Sequence, residues 1–342
     1  MTATMTPETL FDTLKDVRLG GTTCLYPIDK CAELTPLIND INRLKKEKNA
    51  VILVHSYVSP EIVYGVADFV GDSYGLAKDA MSTDADVIVF VAVKFMGETA
   101  KILNPDKEVL IPSELNGCTL ADSLSGDDVR RLREEHPNHT FVCYINTTAD
   151  VKAECDVCVT SSNVNDIIQK IPNDKIYFLP DKLMGRNLIE EMKRRGVDKE
   201  IKLWHGTCYV HEEYDPDTVQ YLRDAHPGLQ VLSHPECSPG VLHLSDYVGS
   251  TSQLLNYMQE NAPETVLMLT ECGITSRLQV EMPHIKFVGS CSMCRYMKSN
   301  TLEDIRRVLD APREQDTIRI DEETRRRALT CIEAMFEYVE GR

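Results

Sequence analysis

Apolar and polar positions along the chain alternate on a scale that repeats three times. Short β-rich apolar runs open three similar segments: VILVHSYVSPEIVYGVADFVGDSYGLAK from Val51, TFVCYINTTADVKAECDVCVTSSNVNDI from Thr140, and LQVLSHPECSPGVLHLSDYVGSTSQLLNY from Leu229. Each run leads into a polar tripeptide, then an Asp (Asp68, Asp156, Asp246), then a hydroxyl five residues on (Ser73, Ser161, Thr251), then a helical pattern. A second apolar run follows in each segment (VIVFVAV, KIYFLP, VLMLT), and then a third (EVLIP, EIKLW, HIKFV). Apolar strands alternating with helix-length stretches predict βαβ units with parallel sheets covered on both faces.

Each third run leads to a glycine and then a cysteine: Cys118, Cys208 and Cys294. The hydroxyls recur at intervals of 88 and 90 residues and the cysteines at 90 and 86, so independent landmarks agree on one period. The predicted fold is α/β: three homologous αβα three-layer units with parallel sheets arranged around a pseudo-threefold axis. Residues 1–46 form an N-terminal extension with a helix; 47–137, 138–226 and 227–312 are the three repeats. Residues 313–342 hold an amphipathic helix whose apolar face is expected to pack on the body.

Ligands of open α/β sheets sit outside the carboxyl ends of the strands. The tripeptides His55-Ser56-Tyr57, Tyr144-Ile145-Asn146 and His234-Pro235-Glu236 and the three cysteines all follow strand-like runs, so they belong at that end. Three related units then bring one thiolate each to a common point without any local motif. Such a set suits either a structural zinc, which usually closes with four protein ligands, or an iron–sulfur cluster with one iron left open as a Lewis acid. The varied polar residues around the expected site favour the open iron.

Bland readings compete. Cys155-Asp-Val-Cys158 and Cys291-Ser-Met-Cys294 are both C-x-x-C, the spacing of half a zinc ribbon or a thioredoxin-type pair. The repeat argues against joining them in one zinc site, because only Cys294 aligns with Cys118 and Cys208. A lone histidine after a strand is usually structural, but His55, Tyr144 and His234 share one repeat position. Ser73, Ser161 and Thr251 read equally well as helix N-caps or as anion-binding hydroxyls. His211, three residues after Cys208, is expected to support the cysteine site.

Charge and composition narrow the function classes. The 342 residues are 42% hydrophobic and 27% charged, a globular balance, and the formal net charge of −17 argues against nucleic-acid or membrane-surface binding. Twelve cysteines in a long chain point to metal or redox duty for some of them, with Cys24, Cys31, Cys143 and Cys331 expected as small apolar residues. No apolar run approaches the roughly 20 residues of a membrane span. The start, MTATMTPETLFDTLKD, lacks the basic and apolar regions of a secretory signal, so a cytoplasmic location is expected.

The strings HSYVSPEIVYGVADFVGDSYGLA, YINTTADVKAECDVCVTSSN, HGTCYVH, HPEC and CRYMK resemble the quinolinate synthase family in order and spacing, from about Val51 to the C-terminal helix. The resemblance implies a transferase of de novo NAD biosynthesis that condenses iminoaspartate (iminosuccinate) with dihydroxyacetone phosphate to give quinolinate, phosphate and water. It implies a 4Fe-4S cluster on Cys118, Cys208 and Cys294. Iminoaspartate would contact His55, Ser73, Tyr144, Ile145, Asn146, Ser161, His234, Pro235, Glu236 and Thr251. Tyr57, Glu236 and His211 are the catalytic candidates, with Glu236 able to serve as base if burial raises its pKa. An aspartate-oxidising enzyme is the expected pathway neighbour. Many members read H-x-Y-Q where this chain has His55-Ser56-Tyr57-Val58, a departure at the fourth position.

Overall fold

The computed structural model describes residues 4–19, 21–289 and 291–341. A short antiparallel ribbon, β1 (Arg18–Leu19) and β2 (Thr23–Cys24), precedes three parallel four-stranded sheets. The first sheet contains β3 (Ala50–His55), β4 (Phe69–Gly71), β5 (Val87–Val91) and β6 (Glu108–Leu110). The second contains β7 (Thr140–Tyr144), β8 (Val157–Val159), β9 (Lys175–Leu179) and β10 (Glu200–Leu203). The third contains β11 (Gln230–Ser233), β12 (Tyr247–Val248), β13 (Thr265–Leu269) and β14 (Lys286–Phe287). Every sheet has the same spatial order, second–first–third–fourth. The fold is thus α/β, built from αβα layers, as the periodicity predicts.

The repeated Asp has a structural task. Asp68 Oδ2 accepts the Ile52 N–H at 2.8 Å, Asp156 Oδ2 that of Phe141 at 2.7 Å, and Asp246 Oδ2 that of Val231 at 2.8 Å. The Asp backbone N–H groups return the bond to Ile52, Phe141 and Val231. Each carboxylate also meets a cation from the helix before its sheet: Lys45, Arg133 or Arg223, at 2.8, 2.5 and 2.7 Å. The short second strand is pinned to the first strand's start, and this fixes a register that pairing of two or three residues would leave weak.

The flanking helices tie the chain ends to the sheets. The helix Ile28–Glu47 packs on β3 and on the helix Leu302–Asp310. The helix Glu322–Glu340 docks Ala328, Cys331, Ile332 and Met335 against the helix Ala149–Ala153 and β8. Just before it, Ile111 N–H donates to Asp316 O and Ile318 N–H to Val109 O, which closes the free edge of β6. No helix among the described residues is long and apolar enough to cross a membrane.

One close approach bears directly on the strand ends. A Cβ at Gly273, in the first turn of the helix Cys272–Glu281, would lie 2.5 Å from the Tyr57 Cα and carbonyl oxygen. Gly273→Ala is expected to lower the unfolding free energy by about 1–3 kcal/mol, measured by denaturant titration, because the backbone around Tyr57 must shift. Unchanged stability would mean that the two segments separate freely.

Candidate active site

The carboxyl ends of the central strands surround one pocket. His55 ends β3 and Tyr144 ends β7, while His234 directly follows β11. His55, Tyr57, Ser73, Tyr144, Ile145, Asn146, Ser161, His211, His234, Glu236 and Thr251 all line it, together with Cys118, Cys208 and Cys294. Pro235 is absent from the lining; its carbonyl accepts Asn187 Nδ2 at 2.8 Å. Asp72, Tyr209, Glu271 and Tyr296 also reach the pocket, and sequence reasoning passed over them. For Glu271 a signal existed: Asp181 and Glu271 occupy the same place after β9 and β13, and each caps the helix that follows.

The three cysteines are held alike. Cys208 and Cys294 are the N-caps of the short helices Tyr209–Glu212 and Arg295–Lys298, and Cys118 precedes a 3₁₀ turn at Ala121–Ser123. Backbone N–H groups point at each sulfur: Leu120 and Ala121 at Cys118, His211 at Cys208, Tyr296 and Met297 at Cys294. The loops are stitched together, with Thr119 Oγ1 donating to Thr207 O at 3.1 Å and Tyr209 OH to Met293 O at 3.0 Å. Burial nevertheless pushes the thiols up, Cys118 to about 12 and Cys208 and Cys294 also above the ordinary value. Three thiols aimed at one cavity and cradled by amides, yet too buried to ionise alone, fit a thiophilic metal centre that supplies the missing positive charge.

The histidines present one tautomer. His55 Nδ1 accepts the Tyr57 N–H at 3.1 Å, and His234 Nδ1 accepts the Glu236 N–H at 3.4 Å. The repeat therefore leaves Nε2–H as a donor on both rings. Burial drives their pKa down, to about 4 for His55 and about 3 for His234. Both rings are neutral hydrogen-bond donors near neutral pH.

Glu236 departs from expectation. Burial by itself raises its pKa, but the charge and hydrogen bond of His211 and the Tyr144 hydroxyl outweigh it and hold the carboxyl at about 2. His211 Nδ1 lies 3.0 Å from Glu236 Oε2, and Tyr144 OH donates to Oε1 at 2.7 Å. Burial pushes the Tyr57 and Tyr144 phenols well above their usual value, so both keep their protons. His211 also approaches Cys208 Sγ at 3.3 Å and stacks on His234 with centroids 4.7 Å apart.

The hydroxyls and the spare cysteines resolve differently from their bland readings. The N-caps are Asp72, Asn163 and Ser250, so Ser73 and Thr251 sit at the first helical position; both line the pocket, and Thr251 Oγ1 donates to Tyr57 OH at 2.9 Å. Cys291 forms a disulfide with Cys272 rather than pairing with Cys294. Cys155 and Cys158 turn inward with Cys331 around Cys143, whose sulfur lies 3.6 Å from that of Cys331. Both C-x-x-C pairs are thus divided: Cys291 and Cys294 serve different tasks, and Cys155 and Cys158 lie in the core.

The neutral histidines set a pH dependence. A depressed folded-state pKa means that the unfolded chain takes up protons first, so stability falls as pH drops below about 6.5 towards 4. At pH 5 each buried ring is expected to cost roughly 1–2 kcal/mol. His234→Gln should flatten this slope between pH 7 and 5 in denaturant titrations; an unchanged slope would contradict the neutral assignment. Glu236 acts in a separate window, its contribution being lost only as pH falls below about 4.5 towards 2.

Comparison with known proteins shows the family. A family model described as quinolinate synthetase A protein matches residues 39–337. A quinolinate synthase of Sinorhizobium medicae is 42% identical over 298 residues, covering 87% of this chain and 79% of that protein. One from Xylella fastidiosa is 42% identical over 301 residues, 85% of this chain and 87% of that protein. Another from Caulobacter vibrioides is 42% identical over 306 residues, covering 88% and 82%. The strand-end pocket, with its three cysteines and paired histidines, lies within the matched span, and the chain belongs to the quinolinate synthetase A family.

Proposed function

We propose that the chain forms quinolinate by condensing iminoaspartate with dihydroxyacetone phosphate, releasing phosphate and water, as a step of de novo NAD biosynthesis. The observation that carries this reading is the single pocket into which three sheets direct one cysteine each beside neutral histidine and hydroxyl donors. Cys118, Cys208 and Cys294 would hold a 4Fe-4S cluster. When bound, that group supplies an iron with a vacant position as a Lewis acid for loss of water. We take residues 47–137, 138–226 and 227–312 as three units about a pseudo-threefold axis, a division supported by one sheet falling in each.

The residues of the chain divide the remaining work. The Nε2–H groups of His55 and His234, with the hydroxyls of Ser73 and Ser161 and the Asn146 amide, suit the two carboxylates of iminoaspartate, and Thr251 would join them by turning its proton away from Tyr57. The helices opening at Ser73 and Thr251 add their N-terminal amides to that anion site. Enamine formation needs a proton removed beside a carboxylate. Glu236 is ionised and able to accept it, though its pairing with His211 makes it a weaker base than an isolated buried carboxylate. Tyr57, protonated, is placed as a donor.

A second reading has one specific observation behind it. Ligand atoms of Cys208, His211 and Glu236 lie within 4.8 Å of one another, close enough to share a single divalent ion. Metal analysis after anaerobic purification separates the two: iron with acid-labile sulfide supports the cluster, zinc without sulfide the lone ion.

Two outcomes test the main reading. Cys118→Ala, Cys208→Ala and Cys294→Ala should each lose most bound iron and sulfide, whereas Cys155→Ala should retain them; equal iron content in all four would end the assignment. Glu236→Gln is expected to slow quinolinate formation by about 10²-fold or more at saturating substrate. Activity close to that of the parent enzyme would exclude Glu236 as the proton acceptor.

A further inference from the structure

The turn after β7 is built differently from its two counterparts. In the first and third repeats the N–H two residues beyond the strand-end histidine is already taken. His55 Nδ1 accepts the Tyr57 N–H at 3.1 Å, and His234 Nδ1 accepts the Glu236 N–H at 3.4 Å. The second repeat carries Tyr144 in that place, and a phenol has no ring nitrogen with which to close the turn. The matching N–H, that of Asn146, meets no acceptor among the described residues, and Asn146 lines the pocket.

A buried lysine closes this turn instead. Lys152, on the helix Ala149–Ala153, is 0% exposed, and no carboxylate among the described residues lies at ion-pair distance from it. Its Nζ donates to Ile145 O at 2.9 Å, to Thr147 O, and to Thr147 Oγ1 at 3.3 Å, so three oxygens of one turn meet its three N–H bonds. The Ile145 carbonyl also takes the Thr147 N–H at 2.8 Å. Nζ lies 5.6 Å from the centre of the Phe95 ring, which lines the same pocket, so the charge sits just behind the pocket wall.

Peptide planarity turns these contacts into an orientation. The Ile145–Asn146 bond is trans, so its C=O and N–H point in opposite directions. Drawing the Ile145 oxygen towards Lys152 in the core sends the Asn146 N–H the other way, to the side of the pocket. An unpaired buried cation is costly, and an apolar side chain of the same length would avoid that cost. What the charge holds is the turn.

We infer that Lys152 is a positioning residue for the substrate: by gripping the Ile145 carbonyl it aims the free Asn146 N–H at one carboxylate of iminoaspartate. The inference deepens the proposed reading of the pocket and rests on it. An amide donating to a carboxylate makes a charge-assisted hydrogen bond, and only the second repeat has this amide to spare. Lys152 makes no hydrogen bond to Glu236 or Tyr57, so its loss should weaken binding and leave turnover.

The test compares anaerobically purified holoenzyme with Lys152→Met, which keeps the length of the side chain and removes its donors. The KM for iminoaspartate and the Kd for quinolinate should both rise about tenfold or more, with kcat within about threefold and iron content unchanged. Residue-resolved hydrogen exchange reads the amide itself. Quinolinate should slow exchange at Asn146 in the parent but not in Lys152→Met, while the Tyr57 and Glu236 amides stay as slow in the variant as in the parent. Parental KM and Kd, a lowered kcat at parental KM, or all three amides exposed together would overturn the inference. Should Lys152→Met not fold, the parent decides alone: protection of Asn146 by quinolinate sustains the inference, and an indifferent amide overturns it. A parent enzyme that forms no quinolinate would instead refute the functional reading, and exchange at Asn146 with malate, a plain four-carbon dicarboxylate, would then decide the role of Lys152 in the same way.

Discussion

The buried carboxylate of Glu236 is the interaction on which the site depends. A charge at this depth is costly unless it is hydrogen-bonded and paired, and here the compensation comes from the neighbouring repeat. Tyr144 reaches it from the second unit's β7, and His211 from the short helix after β10 in the same unit. Tyr57 joins from the first unit through Thr270. Satisfying this one group therefore requires the ends of the second and third sheets to meet at hydrogen-bonding distance. The same requirement brings the cysteine loops together, because His211 lies one short turn beyond Cys208.

The division of labour within each repeat follows from strand geometry. Polar groups near the start of the first strand hold the sheet in register: Asp68, Asp156 and Asp246 bind strand amides and a helix cation. Polar groups at its end face the cavity. Repetition conserves the scaffold role more strictly than the chemical one. All three Asp residues do the same thing, whereas His55, Tyr144 and His234 have diverged into two donors and a phenol that holds Glu236. The structural landmarks of the repeat are accordingly better guides to the fold than to the chemistry.

Desolvation explains why the pocket favours a thiophilic group and anionic ligands. Burial raises the thiols, lowers the histidines and raises the phenols, so each is kept neutral. Glu236 alone runs against this, because its hydrogen bonds outweigh its burial. Buried thiols among neutral donors, beside the ionised Glu236, gain most from a bound group that brings positive charge to the sulfurs.

The sequence by itself determined the triplication, the alternation of strands and helices, and the placement of the cysteines and tripeptides after strands. These follow from local periodicity and from the rule that ligands gather at strand ends. Tertiary structure alone decided how those residues are used. The caps fell to Asp72, Asn163 and Ser250 rather than to the repeated hydroxyls, and Cys291 found Cys272 rather than Cys294. Glu236 became a held carboxylate instead of a raised one, and Thr270 became a link between distant side chains. The last two outcomes depend on which groups from other repeats lie within about 3 Å, a distance that separations of tens to hundreds of residues along the chain do not encode.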